Sequence, residues 1–372
     1  MASDITNCYQ SDAPLPRLAV ERTWLYQPAA EWSYSHHPHL TVFDGRLYAI
    51  WSNGRRDEDA PGQRVLLATA EDVSSWSAPR ALLGPLLGEH SEVVLTAAGF
   101  HQHAGQLIVY LGRYEYQAAV MADARRPEGD RGHQDTGLWA MTTTDGEAWS
   151  APRALGVPIV PNHGAQATAS GRLIISGNVM FPYTDDPAGL AGWTATGIYP
   201  PGEPVVDDSE GFWRIQERQG WPVGLCEGSF FQTDDGILHM LLRSNTDRLW
   251  VTESADDGAS WSAPQITGFT DNATKFHFGR LPDGRFYYVG CPDPDPLWTR
   301  SRLVLSLSED GIRFDRHFVI ADEPYEQRQP GLHKGGDYGY PHTLAHDGHL
   351  YVIVSRRKEA VEVIRIRMEA LA

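Results

Sequence analysis

The sequence predicts an all-β chain of four-stranded antiparallel blades set radially, a β-propeller, and three observations carry that expectation. An apolar run, Asp-Gly or a similar small pair, and a second apolar run recur six times. A short turn combining Ser or Thr, Asp, Gly and an aromatic residue recurs four times between these units. Helical periodicity is absent over any comparable length.

The first repeat reads as a tight β-hairpin. It occurs at "LTVFDGRLYAIWS", "GFHQHAGQLIVYLG", "QATASGRLIISG", "FFQTDDGILHMLLRS", "FGRLPDGRFYYVG" and "TLAHDGHLYVIVSRR". The second occurs at 69–79, 142–152, 253–264 and 307–315, and "ESADDGASWSAP" fits S-x-D-x-G-x-x-W in full. Ser or Thr and Asp bond the backbone of such a turn, Gly takes a positive φ, and the ring plugs the turn against its own sheet. Hairpin, crossing, plugged turn and return strand make one blade. Six blades are counted, with a seventh in a degenerate stretch as the alternative. Residues 17–28 are expected to pair with the C-terminal blade at 338–370 and close the ring, so 1–372 reads as a single domain. The stretches 114–137, 183–222 and 316–340 depart furthest from the repeat and read as loops on a rigid scaffold.

A chain of 372 residues can bury a substantial core without metal or disulfide staples. Cys8, Cys226 and Cys291 form neither a disulfide framework nor a zinc knuckle. The N-terminus has no basic head and no apolar h-region, which predicts a cytoplasmic chain, or a periplasmic or secreted one if a leader has been removed. Acidic residues outnumber basic ones by 48 to 31, for a net charge of −17. Nucleic acid and membrane partners are therefore not expected, and an anionic substrate needs a local cationic pocket.

The hairpin and plugged turns occupy one face of the disc, so the free ends of each hairpin fall on the other, near the axis. Aligning the six hairpins on their turns collects His36, His37, Asn53, Arg55, Arg56, Arg113, Asn162, His163, Glu227, Arg243, Lys275, Tyr340, His342 and Arg356 on that rim. His101 and His103 fall beside a hairpin turn, on the wrong face, and His239 lies inside a strand. The run "HHPH" suggests a transition-metal clip, but Pro38 is expected to extend the chain at His37, so that His37 and His39 share a direction and His36 does not. A structural calcium ion held by loop carbonyls in the central channel is the other cation considered.

The aspartate turn repeated around a propeller resembles the sialidase (BNR-repeat) superfamily. A hydrolytic member would carry an early Arg-Ile-Pro segment, an arginine triad for the substrate carboxylate and a Tyr–Glu nucleophile pair; Arg-Ile-Pro is absent here, and "FWRIQ" is a poor substitute. "WSYSHHPHLTVFDGRLYAIWSNG", "VPNHG", "LCEGSFFQTDDG", "TKFHFGRLPDGRFYYVG" and "GYPHTLAHDGHLYVIVSRRKEAVEVIRI" resemble the propeller enzymes, described both as α-L-rhamnosidases and as rhamnose-α-1,4-glucuronate lyases, that remove terminal L-rhamnose from glucuronic acid in arabinogalactan and gum arabic. That resemblance implies an acidic oligosaccharide or polysaccharide as partner, a catalytic histidine at His36 or His37, and arginines on the uronate.

β-Elimination needs the uronate carboxylate neutralised, for which Arg243, Lys275 and Arg56 are available. It also needs a neutral imidazole base, placed at His37, and a proton donor, for which His163, Tyr340 or His342 serves. An ordinary glycosidase uses two carboxylates. The rim offers Glu227, with Asp57, Glu58 and Asp59 in a loop, so elimination is favoured over hydrolysis on sequence grounds. A glycan-binding propeller without catalysis is the remaining alternative.

Overall fold

The computed structural model describes residues 3–117, 133–198, 220 and 222–372. Among these there is no α-helix, and therefore none long and apolar enough to cross a membrane. The "FWRIQ" segment and the centres of two expected long loops lie outside the described residues.

Each hairpin expected from the sequence is a pair of adjacent antiparallel strands. The first sheet holds β2 (Tyr34–Phe43), β3 (Arg46–Gly54), β4 (Arg64–Ala70) and β5 (Arg80–Leu83), in that order. The second runs β6 (Val94–His103), β7 (Gln106–Tyr116), β8 (His133–Thr143) and β9 (Arg153–Ala154). Among the described residues the third has three strands where four are expected: β10 (Gln166–Ala167), β11 (Leu173–Ile174) and β12 (Tyr183–Thr184). The fourth comprises β13 (Leu225–Gln232) to β16 (Gln265–Thr270), through β14 (Leu238–Ser244) and β15 (Arg248–Ser254). The fifth runs from β17 (His277–Arg280) through β18 (Phe286–Gly290) and β19 (Leu303–Ser308) to β20 (Arg316–Ala321). In the last, β21 (Gly339–His346), β22 (His349–Arg356) and β23 (Ala360–Arg367) are joined by the N-terminal β1 (Val20–Tyr26), which pairs antiparallel with β23.

Strand alternation explains how the sheets stack. On β3, Leu47, Ala49 and Trp51 pack toward β22 and β23, whereas Tyr48 and Ile50 pack toward β6 and β7. Successive side chains point to opposite faces, and here both faces are covered, so the strand reads as one apolar run instead of alternating with polar residues. Four further clusters repeat the arrangement, each shared by two successive sheets, and the last sheet packs against the first. The fold is propeller-like. Trp51 is fully buried, and its truncation to alanine costs about 3–5 kcal/mol through lost burial and the cavity left behind.

The aspartate turns connect third to fourth strands. In the turn between β15 and β16, Ser254 Oγ donates to Asp256 Oδ1 at 2.8 Å, while Asp256 Oδ1 accepts from Ser260 N and Ser254 Oγ accepts from Gly258 N, both also at 2.8 Å. Thr143 with Asp145 and Ser308 with Asp310 repeat this set. Gly146, Gly258 and Gly311 take φ of 73°, 83° and 78°, a conformation glycine adopts without steric cost.

A second repeated device lies at the other end of the inner strands. β2 carries a bulge between His36 and His39, β13 between Cys226 and Ser229, and β21 between Gly339 and His342. In each, one non-glycine residue is left-handed: His37 at φ 52°, Glu227 at 52° and Tyr340 at 53°. The expectation that Pro38 extends the chain at His37 is therefore corrected. The extra residue of a bulge must be absorbed locally, and a left-handed turn of the chain absorbs it. Such conformations cost about 1–3 kcal/mol each and cluster at functional sites.

Candidate active site

The three left-handed residues meet. Tyr340 donates its phenolic hydrogen to Glu227 Oε1, Arg243 Nη1 donates to Glu227 Oε2 at 2.6 Å, and the same nitrogen lies 3.2 Å from the Tyr340 oxygen. The Tyr340 ring lies tilted against His36 at 3.9 Å centroid separation and meets His37 edge-on at 5.3 Å. Lys275 Nζ sits 5.3 Å from the Tyr340 ring centre and the Arg300 guanidinium 5.9 Å. The bulges thus swing an imidazole, a carboxylate and a phenol, from three different sheets, into one cluster lined by cations.

Burial pushes Glu227 toward the neutral form, but the charge of Arg243 and the Tyr340 hydrogen bond outweigh it and hold the carboxyl below its usual range. Tyr340 moves the opposite way, raised well above the usual phenol value by burial and by the Glu227 charge. The pair therefore rests as a neutral phenol donating to a carboxylate. Burial brings Lys275 down to about 7; its ammonium donates to the Asn162 carbonyl and, among the described residues, makes no ion pair.

Arg300 is 4% exposed, and its Nε and Nη1 have no hydrogen-bond partner. A buried guanidinium with unmet donors is costly unless a ligand supplies acceptors, and a carboxylate matches its fork. Arg300 lies on the β18–β19 connection, outside the hairpin alignment, and sequence reasoning missed it. So too for Trp298 beside it, 45% exposed, with the Arg243 guanidinium 5.3 Å from its ring. A tryptophan at φ 71° is the kind of strained surface residue that marks such sites.

Protonation of His36 follows from its partners. Ser355 Oγ spends its single hydrogen on the Gly339 carbonyl at 3.1 Å, so toward His36 Nδ1, 2.7 Å away, it accepts. Nδ1 carries the hydrogen and Nε2 presents a bare lone pair. Burial, then the charges of His37, Lys358, Arg300 and Lys275, keeps the ring from taking a second proton. His37 is half-buried, its Nδ1 3.0 Å from Ser52 Oγ, and burial lowers it too, with Asp59 and Glu58 pulling upward against Lys275. The two rings lie 4.7 Å apart, so His36 and His37 share a direction and the expected pairing of His37 with His39 is corrected.

His39 turns instead into a separate buried layer with His163, His277 and His342, at ring separations between 4.5 and 6.2 Å. The Asn162 carbonyl joins the layers, accepting from Lys275 and contacting His39 Nε2 at 3.2 Å. The remaining rim residues are held elsewhere. Arg55 pairs with Glu92 at 2.6 Å, Arg113 with Glu115, and the buried Arg356 with Glu362 at 3.1 Å. Asn53 is buried against the Tyr34 carbonyl, and Arg56 Nε donates to the Pro330 carbonyl. His239, bonded to Glu253 and Thr233, is satisfied within its sheet.

The repeated turns and sheets have a counterpart among known families: residues 45–352 match the BNR repeat-like domain. The chain belongs to that family. Comparison with curated proteins returns no match. Among solved structures, a protein of unknown function from Dyadobacter fermentans superposes at a TM-score of 0.66 with 14% identity, covering 95% of this chain and 100% of that one. A structure titled Sialidase gives 0.60 with 19% identity, over 95% of this chain and 33% of that one. Trypanosoma rangeli sialidase with 2,3-difluorosialic acid, described as a covalent intermediate, gives 0.63 with 14% identity over 95% and 60%. The BNR chain thus spans about a third to three fifths of the sialidase chains, and at these identities the likeness is one of fold.

Proposed function

We propose that the protein is a retaining exo-glycosidase that releases a terminal carboxylate-bearing sugar from an acidic glycan. The single observation that carries the reading is the Tyr340 phenol donating to the Glu227 carboxylate beside Arg243. The lone rim carboxylate looked like a thin basis for hydrolysis on sequence grounds, and its pairing with a phenol alters that balance. A carboxylate nucleophile approaching an anomeric centre beside a substrate carboxylate meets like charge. A neutral phenol avoids this, because its proton passes to Glu227 as the bond forms, and tyrosine nucleophiles are the known departure from the two-carboxylate scheme.

In this reading Arg300, with Lys275 nearby, takes the sugar carboxylate. Tyr340 Oη attacks the anomeric carbon while its proton moves to Glu227. The glycosidic C–O bond breaks and the leaving oxygen takes a proton from the carboxylic acid form of Asp59, a neighbour of the His37 ring. Water then attacks the same carbon, returning a proton to Asp59, and the Tyr340–carbon bond breaks as Glu227 gives its proton back. The early Arg-Ile-Pro segment expected of a hydrolytic sialidase is absent from the sequence, so a sugar other than sialic acid is favoured, with uronate-type glycans first.

One observation favours a second reading. The bare Nε2 of His36 and the half-buried His37 suit proton abstraction, as in β-elimination that removes terminal L-rhamnose from α-1,4-linked glucuronate. The test is to incubate the protein with rhamnose-capped glucuronosides and with aryl glycosides of carboxylated sugars. Free carboxylated sugar without the ultraviolet absorbance of an unsaturated uronate supports hydrolysis at Tyr340. Appearance of that absorbance overturns it in favour of elimination, and no release from any substrate overturns both.

A further inference from the structure

Beside Tyr340, His36 Nε2 is buried without a hydrogen-bond partner and faces Glu58 Oε1 at 4.0 Å. The serine contact fixes this nitrogen as an acceptor, so two lone-pair-bearing groups confront each other in a desolvated gap. Such a pair is unfavourable unless a positive centre lies between them. His37 completes the set: ligand atoms of His36, His37 and Glu58 all lie within 4.8 Å of one another. Neighbouring residues of an extended strand cannot do this. The left-handed φ of 52° at His37 puts both rings on one side. Each ring is also braced at Nδ1 by a serine, Ser355 for His36 and Ser52 for His37, the outer-shell support that orients metal-binding imidazoles.

We propose that His36, His37 and Glu58 bind one divalent transition-metal ion of the zinc class. Two imidazole nitrogens and one carboxylate suit a borderline-soft ion that keeps positions open, whereas calcium and magnesium prefer all-oxygen sets. Glu58 Oε1 also accepts from Lys358 at 2.7 Å, and a carboxylate offers about four lone-pair sites, enough for both. With the His36 ring 3.9 Å from Tyr340, the ion would hold a substrate oxygen next to the phenol. A metal on Nε2 removes His36 as a base, so the site is incompatible with elimination through that nitrogen.

The test titrates the full chain, stripped with a chelator, with Co2+, read by calorimetry and by the visible bands of histidine-bound cobalt. One ion per chain is expected, with affinity falling at least about tenfold in His36→Gln and in Glu58→Gln and unchanged in His103→Gln. Should His36→Gln fail to fold, as judged by its thermal melt, Glu58→Gln decides alone. Absence of stoichiometric binding, or binding unaltered in the folded variants, overturns the proposal. Its failure is separable from that of the hydrolase reading. Stripped protein that turns over substrate but takes up no Co2+ sinks the metal alone; stoichiometric Co2+ uptake with full turnover in Tyr340→Phe sinks the nucleophile alone.

Discussion

The two ends of the strands carry two repeated devices that behave differently. At the outer turns both backbone and side chains repeat: Thr143 with Asp145, Ser254 with Asp256 and Ser308 with Asp310 make the same bonds in three sheets. At the inner bulges the left-handed φ repeats to within a degree, yet the side chains are an imidazole, a carboxylate and a phenol. A device repeated with its side chains serves the sheet it closes. A device that repeats only its backbone presents different groups to a common centre.

If that contrast is sound, substitutions at the inner end should abolish turnover with little loss of stability, and substitutions at the outer end should do the reverse. Tyr340→Phe is the largest expected effect, a fall of about 10⁴-fold or more in kcat with a thermal midpoint near that of the wild type; Glu227→Gln follows at about 10²–10⁴-fold, as for loss of a general base. Steady-state kinetics beside a thermal melt checks both. Arg300→Met should raise KM for a carboxylated substrate by about 10- to 100-fold, since a hydrogen bond to a charged group is worth about 1.5–3 kcal/mol, and should leave KM for the matching sugar amide nearly unchanged.

Lys275→Met sharpens the comparison through pH. The folded chain holds Lys275 at about 7 against an ordinary value of 10.5, so between those limits the unfolded chain binds more protons and stability rises with pH. Denaturant melts of the wild type should gain stability between pH 7 and pH 10 relative to Lys275→Met. KM for an anionic substrate should rise above pH 7 in the wild type alone, as the ammonium loses its charge. The smallest effect belongs to the outer end: Asp256→Ala should cost about 1 kcal/mol of stability and leave kcat/KM unchanged.

The contrast also explains what could be read from the sequence. The outer turns were legible because Asp and Gly are needed for their geometry, and the hairpins because apolar runs flank small turn pairs. The third sheet was read as a full blade, yet its strands are only two residues each and its fourth member is missing among the described residues. At the inner end, equal position in the repeat picks out His36, His37, Glu227, Arg243, Lys275 and Tyr340, and these side chains lie together in the structure. Aligning the hairpins on their small turn pairs sets Gly228, not Glu227, against His37, because the β13–β14 connection takes five residues, 233–237, where β2–β3 takes two, 44–45. Arg55, Arg113 and Arg356 share the rim pattern but are taken up by Glu92, by Glu115 of the same strand and by Glu362 of the adjacent strand, and the repeat does not encode that choice. Arg300 and Trp298 lie on a connection outside any repeat, and only the assembled structure brings Arg300 to Tyr340 and Trp298 to Arg243.

The account rests on Tyr340 attacking the sugar, and trapping tests this most directly. The protein would be incubated with a fluorinated, activated carboxylated glycosyl fluoride, which slows release of a covalent intermediate, and then digested for peptide mass mapping. The expected result is one glycosyl adduct on the peptide bearing Tyr340, absent from Tyr340→Phe. An unmodified Tyr340 under conditions where natural substrate is turned over, or an adduct on another residue, would contradict it.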